Sequence, residues 1–286
     1  MKILVTGSTG TVGSEVVKAL CDRQVDVRAF VRDESRARHL PPSVELFSGN
    51  LLDPEAVERA LDGIDKVYLL NGVVADELTQ GLIVANLAQR LGISHLVYHS
   101  VMAAERFPDV PHFASKHAIE DMLKQSGLPC TILRPAYFFQ NDAALREPLT
   151  AAGIYPMPLG RTGIAAVDVR DIAAVATIAL TTAGHVGKSY NLAAAQTLSG
   201  PEAASLWSRL LGRKVRYPGE DFAAYEQQMR QVMPSWAAFD LRMMLQRYHE
   251  RGFVASSADV GQLTGMLGRP PRSYADFARA TADSWR

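Results

Sequence analysis

The chain has 286 residues, of which 48% are hydrophobic and 21% charged, so it can bury a sizeable core in one large domain with or without a smaller lobe. Thirty basic residues balance 30 acidic residues, which argues against a nucleic-acid partner. Two widely spaced cysteines form no disulfide framework, and no His/Cys cluster has the spacing of metal ligands. Met1 runs directly into the first strand and no apolar run reaches the ~20 residues of a membrane span, so we expect a cytoplasmic protein with no membrane partner.

The first predicted elements are a buried strand, a glycine-rich turn and a helix. The strand KILV leads into Gly7, Gly10 and Gly13, and the helix SEVVKALCDR follows. Gly7 permits the sharp exit from the strand, Gly10 lets a pyrophosphate approach the backbone, and Gly13 lets the helix pack tightly on the strand. The amide groups of the helix N-terminus would then hold the phosphates. This pattern predicts a dinucleotide site; the alternative is a glycine-rich turn that binds no ligand.

Strands and helices alternate through the rest of the first half. The strands are apolar runs with short helical connections, which indicates a parallel sheet covered on both faces. We therefore expect an α/β fold, a Rossmann-type doubly wound parallel sheet with a smaller, mainly helical C-terminal lobe. The predicted strands are 25–32, 44–51, 65–73, 94–101 and 130–138, with helices at 54–63, 76–92 and 112–127.

The regular alternation stops after residue 140. A helix and a Pro/Gly-rich segment are predicted within 141–163, and then a strand, a helix and a strand at 188–194 return to the sheet. The dinucleotide-binding domain is therefore predicted to cover 1–140 with 164–194, and the substrate lobe to cover 141–163 and 195–286. We expect the cofactor in the cleft between them. Helices of the lobe are predicted at 199–212, 221–232, 238–252 and 274–285.

Residues at the ends of the second and third strands are candidate contacts of the adenosine half of a dinucleotide. Arg32 closes the second strand, where an arginine can pair with the 2′-phosphate of NADP, although Asp33 follows directly. This favours NADP(H) and leaves NAD(H) as the alternative. At the end of the third strand, Asn50 can bond the adenine and Leu51 can cover it, whereas Asp53 caps the next helix.

The ends of the fourth and fifth strands are candidates for the nicotinamide half. The backbone at Leu70, Asn71 and Gly72 can pass under the nicotinamide ribose. The alternative is a tight turn, which explains the Asn-Gly pair equally well. The fifth strand ends at Ser100.

The helix after Ser100 carries His112 and Lys116 in HFASK. With the TGxxGxxG turn, this arrangement resembles the short-chain dehydrogenase/reductase superfamily. The resemblance implies that Lys116 holds the nicotinamide ribose, and that the proton-transferring tyrosine of catalytic members would stand four residues earlier, where this chain has His112. Ser100, His112 and Lys116 are therefore the catalytic candidates; for His112 the alternative is a helix N-terminal residue without chemistry.

Segments along nearly the whole chain resemble one branch of that superfamily, the NmrA-like atypical subfamily. They include VRDESRARHL, PHFASKHAIEDMLKQSGLPCTILRPAYFFQN and TGMLGRPPRSYADFA. The subfamily includes NAD(P)H-dependent quinone and triphenylmethane-dye reductases and also non-enzymatic dinucleotide sensors. The cofactor contacts that the resemblance implies are Gly7, Thr9, Gly10, Thr11, Val12, Gly13, Arg32 and Lys116.

The function expected from these features is hydride transfer from NADP(H) to a small conjugated electrophile such as a quinone, which needs no strong general acid. Tyr137, Phe138 and Trp236 would line the substrate pocket, with Tyr137 also touching the cofactor; the aromatic and methionine residues of 233–244 are more simply lobe core. The alternatives are a non-catalytic redox sensor acting through a protein partner, which the missing tyrosine favours, and a nucleotide-sugar epimerase or dehydratase. The sequence leaves open the substrate's identity and the oligomeric state, a homodimer being one option.

Overall fold

The computed structural model describes residues 1–286, with nine strands and ten α-helices. The central strands of the main sheet are short apolar runs: in β1, Ile3, Leu4 and Val5 are each at most 1% exposed. Such strands need cover on both faces, which helical crossovers supply. None of the helices combines the length and the apolar character that a membrane span requires. The strands are β1 (Lys2–Val5), β2 (Asp26–Val31), β3 (Glu45–Ser48), β4 (Lys66–Leu69), β5 (His95–His99), β6 (Cys130–Pro135), β7 (Tyr137–Phe138), β8 (Ala166–Val167) and β9 (Ser189–Leu192).

Seven of these strands form one parallel sheet in the order β3-β2-β1-β4-β5-β6-β9, and β7 and β8 pair separately. The chain moves outward from β1 through β2 to β3, and then returns to the other side of β1 with β4. The turn after β1 therefore lies where the strand order reverses, which is where open α/β sheets bind ligands. This order confirms the predicted Rossmann-type fold.

Capping residues set the ends of several helices. The Asp53 side chain accepts hydrogen bonds from the Glu55 and Ala56 amides at 3.0 and 3.2 Å, as the sequence predicts. Gly92 and Gly127 follow two helices at φ +71° and +75°, a conformation that favours glycine. The helices are α1 (Thr11–Cys21), α2 (Pro54–Leu61), α3 (Glu77–Arg90), α4 (Pro111–Gln125), α5 (Val169–Thr181), α6 (Gly200–Leu211), α7 (Phe222–Met229), α8 (Ser235–Arg251), α9 (Ser257–Leu267) and α10 (Tyr274–Ser284).

One face of the main sheet packs against α2, α3 and α4 in a continuous apolar core. Leu69 of β4 and Tyr98 of β5 are partners in register and both lie in this core. Side chains alternate between faces along a strand, so Asn71 and Ser100, two residues further on, are expected on the same face. The polar groups described below therefore lie at the end of this core.

The predicted strand at 130–138 is two strands in the structure. Pro135 ends β6, and the Ala136 amide still bonds the carbonyl of Leu192 beside it. The next amide, that of Tyr137, bonds the carbonyl of Ala165 at 3.2 Å instead. The backbone thus changes its pairing partner within two residues, which an uninterrupted apolar sequence does not reveal.

Two further segments differ from the sequence prediction. No α-helix forms within 141–163: a 3₁₀ helix covers Phe139–Leu145 and a π-helical turn covers Pro148–Ala152, ending at Gly153 with φ +64°. A proline at the start and a left-handed glycine at the end leave no room for a longer helix. The helix α9 was not predicted.

The chain divides into two compact units. The first unit contains the main sheet with α1 to α5, and the second contains β7, β8 and α6 to α10. The domain limits predicted from the sequence, with a boundary after residue 140, stay a prediction. The first unit comprises Met1–Pro108, His112–Pro135 and Val169–Asn191, and the second comprises Asp109–Pro111, Ala136–Asp168 and Leu192–Arg286.

A buried carboxyl group ties the second unit together. The hydroxyls of Tyr155 and Tyr274 both donate to Oδ2 of Asp142, the first at 2.8 Å, and Trp207 Nε1 donates to the Tyr274 hydroxyl at 2.8 Å. Asp142 is fully buried, and burial raises its pKa to about 7. Burial also raises the pKa of both tyrosines well above 10, so Asp142 is the group of this cluster that titrates near neutral pH.

Candidate functional site

The exit from β1 is fixed to the end of β4 by one threonine. The Thr6 hydroxyl donates to the carbonyl of Leu70 at 2.9 Å and accepts from the Leu70 amide at 2.8 Å. Gly7 follows with φ +61°, and a Cβ there would lie 2.8 Å from the Leu70 carbonyl oxygen. Any other residue at Gly7 would be strained and would collide with the backbone after β4.

The other two glycines of the turn differ in what they are needed for. A Cβ on Gly13 would lie 2.1 Å from the carbonyl oxygen of Gly7, so Gly13 is required for α1 to pack on the turn. Gly10 has φ −87° and ψ 174°, which any residue can adopt, and its Cβ would meet only the Gly7 oxygen, at 3.3 Å. A Cβ at Gly10 would thus need the Gly7 oxygen to shift slightly, and no other atom lies within 4 Å of it.

The first turn of α1 offers backbone donors beside Gly10. Its first backbone hydrogen bond runs from the Ser14 amide to the Gly10 carbonyl at 3.0 Å, so the amides of Thr11, Val12 and Gly13 lie outside the helical ladder. The N-cap, Gly10, has no side chain to satisfy them. Thr9 is half-buried and Thr11 is exposed, whereas the Val12 side chain is in the core. Free amides at the positive end of a helix suit a phosphate.

Arg32 directly follows β2 and is exposed, and its guanidinium makes no hydrogen bond or ion pair. The neighbouring Asp33 is engaged elsewhere: its carboxylate accepts from the Ser35 amide at 2.9 Å and caps a short 3₁₀ helix. Hydrogen bonds from Ser35 hold the pKa of Asp33 below its usual range. The acidic residue that complicated the cofactor prediction thus acts as a helix cap, which leaves Arg32 available for a phosphate.

The residues predicted at the adenine end lie just beyond β3. The Asn50 side-chain oxygen accepts from the Leu52 amide at 3.0 Å, and Asn50 itself is exposed. Leu51 is half-buried and packs against the core cluster. Both residues lie beyond the last residue of β3, Ser48, rather than in the strand.

At the end of β4, Asn71 is buried and only weakly held. Its side-chain nitrogen donates to Gln80 Oε1 at 3.5 Å, and its side-chain oxygen is buried without a hydrogen-bond partner. A Cβ on Gly72 would meet only one methyl group, 3.9 Å away, so the fold does not require a glycine there. A buried acceptor without a donor is costly, which points to a ligand or a water at this place.

Lys116 lies on α4 with its ammonium group at the end of β5. The Nζ atom is 2.7 Å from Oε1 of Glu77, the first residue of α3, and it donates to the backbone carbonyl of His99 at 3.4 Å. Lys116 is 5% exposed and Glu77 is 1% exposed. Burial, with the nearby charge of Lys116, lowers the pKa of the His99 ring well below its usual value. The sequence analysis did not identify Glu77.

Ser100 is held by a second buried glutamate. Its hydroxyl donates to Oε1 of Glu120 at 2.6 Å, and Nε of Arg134 donates to the same oxygen at 2.9 Å. Burial tends to raise the pKa of Glu120, but the hydrogen bonds from Arg134 and Ser100 outweigh it and leave that pKa below its usual range. Glu120 and Arg134 were not identified from the sequence; an ion pair between a buried and a half-buried residue on neighbouring elements is a tertiary feature.

His112 is the second residue of α4, one helical turn before Lys116 on the same face. It is 8% exposed, and its ring stands edge-on to Phe113 with ring centroids 4.7 Å apart. The structure thus brings Lys116 and Ser100 to the end of β5 and places His112 one helical turn from Lys116, and the catalytic roles of all three stay predictions.

The predicted substrate-pocket residues all belong to the second unit. Tyr137 lies in β7, is buried, and its hydroxyl has no hydrogen-bond partner. Phe138 is half-buried in the same strand, and Trp236 is 39% exposed near the start of α8. Their roles stay predictions.

Known proteins resemble this chain along nearly its whole length. The model of the NmrA-like family matches residues 1–261. The chain is 33% identical over 283 residues to an NAD(P)H azoreductase from Xenophilus azovorans, covering 98% of each chain. It is 33% identical over 287 residues to a Streptomyces griseus (4-alkanoyl-5-oxo-2,5-dihydrofuran-3-yl)methyl phosphate reductase, covering 99% of each. The structure of the Escherichia coli NADPH-dependent quinone oxidoreductase QOR2 complexed with NADPH superposes with a TM-score of 0.87 at 25% identity, covering 97% of this chain and 99% of that one.

Proposed function

We propose, from the premise that this chain belongs to the NmrA-like family, that it is an NAD(P)H-dependent reductase with NADPH as its preferred reductant. The relatives named as reductases support an enzyme rather than the non-catalytic sensor. A small molecule is the proposed substrate. The cytoplasm and a homodimer are proposals that rest on the sequence alone.

The observation that carries this proposal is the order of polar groups along one edge of the sheet. Arg32 after β2, the amides beside Gly10 after β1, Asn71 after β4 and Lys116 beside β5 follow one another as their strands do. Neighbouring strands lie about 4.8 Å apart, so two strands place Lys116 about 10 Å from the glycine turn. The sequence of groups matches a 2′-phosphate, a pyrophosphate and a nicotinamide ribose in the same order.

The fit to a dinucleotide depends on the space at Gly10 and on the unpaired groups around it. The amides of Thr11 to Gly13 would hold the pyrophosphate, and the guanidinium of Arg32 would pair with the 2′-phosphate. Lys116 would donate to the nicotinamide ribose, while the Asn71 oxygen offers an acceptor on the same side. When bound, the reduced nicotinamide supplies the hydride.

The chain's own residues then determine which acceptors can react. The Ser100 hydroxyl is already donated to Glu120, so we assign Ser100 a supporting role. His112 is the remaining candidate for proton delivery, and water is the alternative source. A quinone needs no strong general acid, because its reduced form takes a proton readily from water. We therefore propose quinones and similar conjugated electrophiles as substrates. Tyr137, Phe138 and Trp236 are the proposed pocket residues.

Turnover measured against a panel of acceptors tests the function. Oxidation of NADPH and NADH is followed with quinones, azo dyes, triphenylmethane dyes and enones, with Lys116→Ala as the matched variant. We expect turnover with at least one class, faster with NADPH, and severe loss in the variant. NADPH binding without turnover on any acceptor would refute the reductase and support the sensor.

A further inference from the structure

Two buried glutamates lie near the end of β5, and they differ in how well they are satisfied. Glu120 receives hydrogen bonds from Ser100, from Nε and Nη2 of Arg134, and from Nζ of Lys124. Glu77 is 1% exposed, contacts the Lys116 ammonium, and neither of its oxygens accepts a hydrogen bond of good geometry. The carboxylate of Glu120 is therefore fully hydrogen-bonded, whereas that of Glu77 has only its ion pair with Lys116.

A buried ion pair with few hydrogen bonds, such as that between Glu77 and Lys116, adds little to the free energy of unfolding. Removing two charges from water costs several kcal/mol per ion, and the attraction between them offsets this only when further hydrogen bonds satisfy both groups. The Lys116 side chain is 7% exposed and that of Glu77 is 1% exposed, so both charges bear this cost. Apolar residues would stabilise the same core at least as well, so the pair needs an explanation other than folding.

The contacts of Lys116 indicate what the pair does. A lysine side chain has a flexible stem of four carbons, so contacts with other groups must fix the position of its ammonium group. Here Nζ is held on one side by Glu77, on another by the His99 carbonyl at 3.4 Å, and it lies 6.0 Å from the centre of the Tyr98 ring. His112 occupies the position one helical turn away, so no hydroxyl from that position holds the ammonium. Of these groups only Glu77 is charged.

We infer that Glu77 is a positioning residue that fixes the Lys116 ammonium for its contact with the nicotinamide ribose of the cofactor. This inference rests on the proposed function, which gives Lys116 that contact. Glu77 is the first residue of α3, so its carboxylate also lies at the positive end of that helix, which stabilises the charge. Glu77 acts through Lys116 and is not itself expected to touch the cofactor.

A double-mutant cycle on cofactor binding tests the inference without relying on turnover. The affinities of Glu77→Gln, Lys116→Met and the double variant for NADPH are measured by fluorescence titration. We expect Glu77→Gln to weaken binding about 10-fold, the loss typical of a hydrogen bond to a charged group, and Lys116→Met at least as much. The double variant should match Lys116→Met within about 2-fold, because Glu77 has nothing left to position.

Two controls separate positioning from a general structural effect. Adenosine 2′,5′-bisphosphate, which lacks the nicotinamide ribose, should bind all variants as it binds the wild type. Glu120→Gln removes the other buried carboxylate, and its effect should add to that of Lys116→Met. Thermal melting checks that each variant is folded, and Glu77→Asp, which keeps the charge, should recover part of the lost affinity and replaces Glu77→Gln if that variant does not fold.

The inference is wrong if Glu77→Gln weakens NADPH binding equally with and without Lys116, if it leaves NADPH binding unchanged, or if the bisphosphate loses affinity to the same degree. These results would leave the proposed reductase standing, because the wild type would still bind and oxidise NADPH. A wild type that does not bind NADPH would refute both.

Discussion

Substitution of Gly10 by valine is the sharpest test of the cofactor site, because the structure separates its effect on binding from its effect on folding. The backbone at Gly10 has φ −87° and ψ 174°, within the range of ordinary residues. The added Cβ would meet only the Gly7 oxygen, at 3.3 Å. Valine lowers the conformational entropy of the unfolded chain, which stabilises the fold, whereas the loss of a glycine N-cap destabilises it. Because these effects oppose each other, we expect the free energy of unfolding to change by at most about 1 kcal/mol.

The effect on binding should be much larger. The side chain would fill the space in front of the amides of Thr11 to Gly13, where the pyrophosphate is expected. A hydrogen bond to a charged group contributes about 1.5–3 kcal/mol, so displacing the phosphates from two of these amides costs about 3–6 kcal/mol. Because each 1.4 kcal/mol is tenfold, the affinity for NADPH should fall by at least about 100-fold.

The assay is a titration of NADPH into wild type and variant, paired with urea unfolding of both. Gly13→Ala is the first control: its Cβ would lie 2.1 Å from the Gly7 oxygen, so it should destabilise the fold by several kcal/mol. Gly261→Ala is the second, because no atom lies within 4 Å of its Cβ; it should stabilise α9 by about 1 kcal/mol and leave binding unchanged. A Gly10→Val protein that binds NADPH normally would show that the turn is purely structural.

Three further predictions follow from single side chains. Arg32→Ala should weaken NADPH about 10-fold and NADH less than 2-fold in parallel titrations; equal losses would contradict a 2′-phosphate contact. His112→Ala should lower kcat for a quinone less than about 10-fold, because water supplies the proton, and the 10²–10⁴-fold loss of a general acid would overturn this. Burial raises the pKa of Asp142 from 3.8 to about 7, so the folded protein binds more protons than the unfolded chain between these values, and up to about 4 kcal/mol of stability is lost as the pH rises from about 4 to about 7. The melting temperature of the wild type should therefore fall relative to that of Asp142→Asn as the pH rises from about 4 to about 7 and keep a constant offset above that, and profiles that are parallel between about pH 4 and 7 would contradict it.

The fold could be predicted because each of its main elements has a local signal. Continuous apolar runs, the glycine turn after β1, and the Asp53 cap of α2 are all written in short stretches of sequence. The helix α9 was missed although its signal is present: Ser256 and Asp259 form a capping box at its start. By contrast, the break between β6 and β7 depends on which strand lies beside each amide, and no local pattern encodes that pairing.

The glycine turn was predictable for the same reason, and the partners of Lys116 and Ser100 were not. Gly7, Gly10 and Gly13 act within one turn, and the sequence places Arg32 at a strand end. The contacts of Lys116 and Ser100 are made instead by Glu77 on α3 and Glu120 on α4, and a buried glutamate looks like any surface glutamate of an amphipathic helix. Tertiary packing alone decides which of them is buried.

The two glutamates also bear on the chemistry. In this chain the hydroxyl of Ser100 and the ammonium of Lys116 are each committed to a buried carboxylate, and His112 occupies the position where the resemblance to short-chain dehydrogenases implies a tyrosine. A site built in this way is rich in groups that hold a cofactor still and poor in groups that transfer a proton. Such a site suits acceptors that are reduced by a well-placed hydride and protonated by water, and it suits carbonyl compounds, which need an acid at the oxygen, much less. Quinones should therefore be reduced faster than simple ketones of similar size.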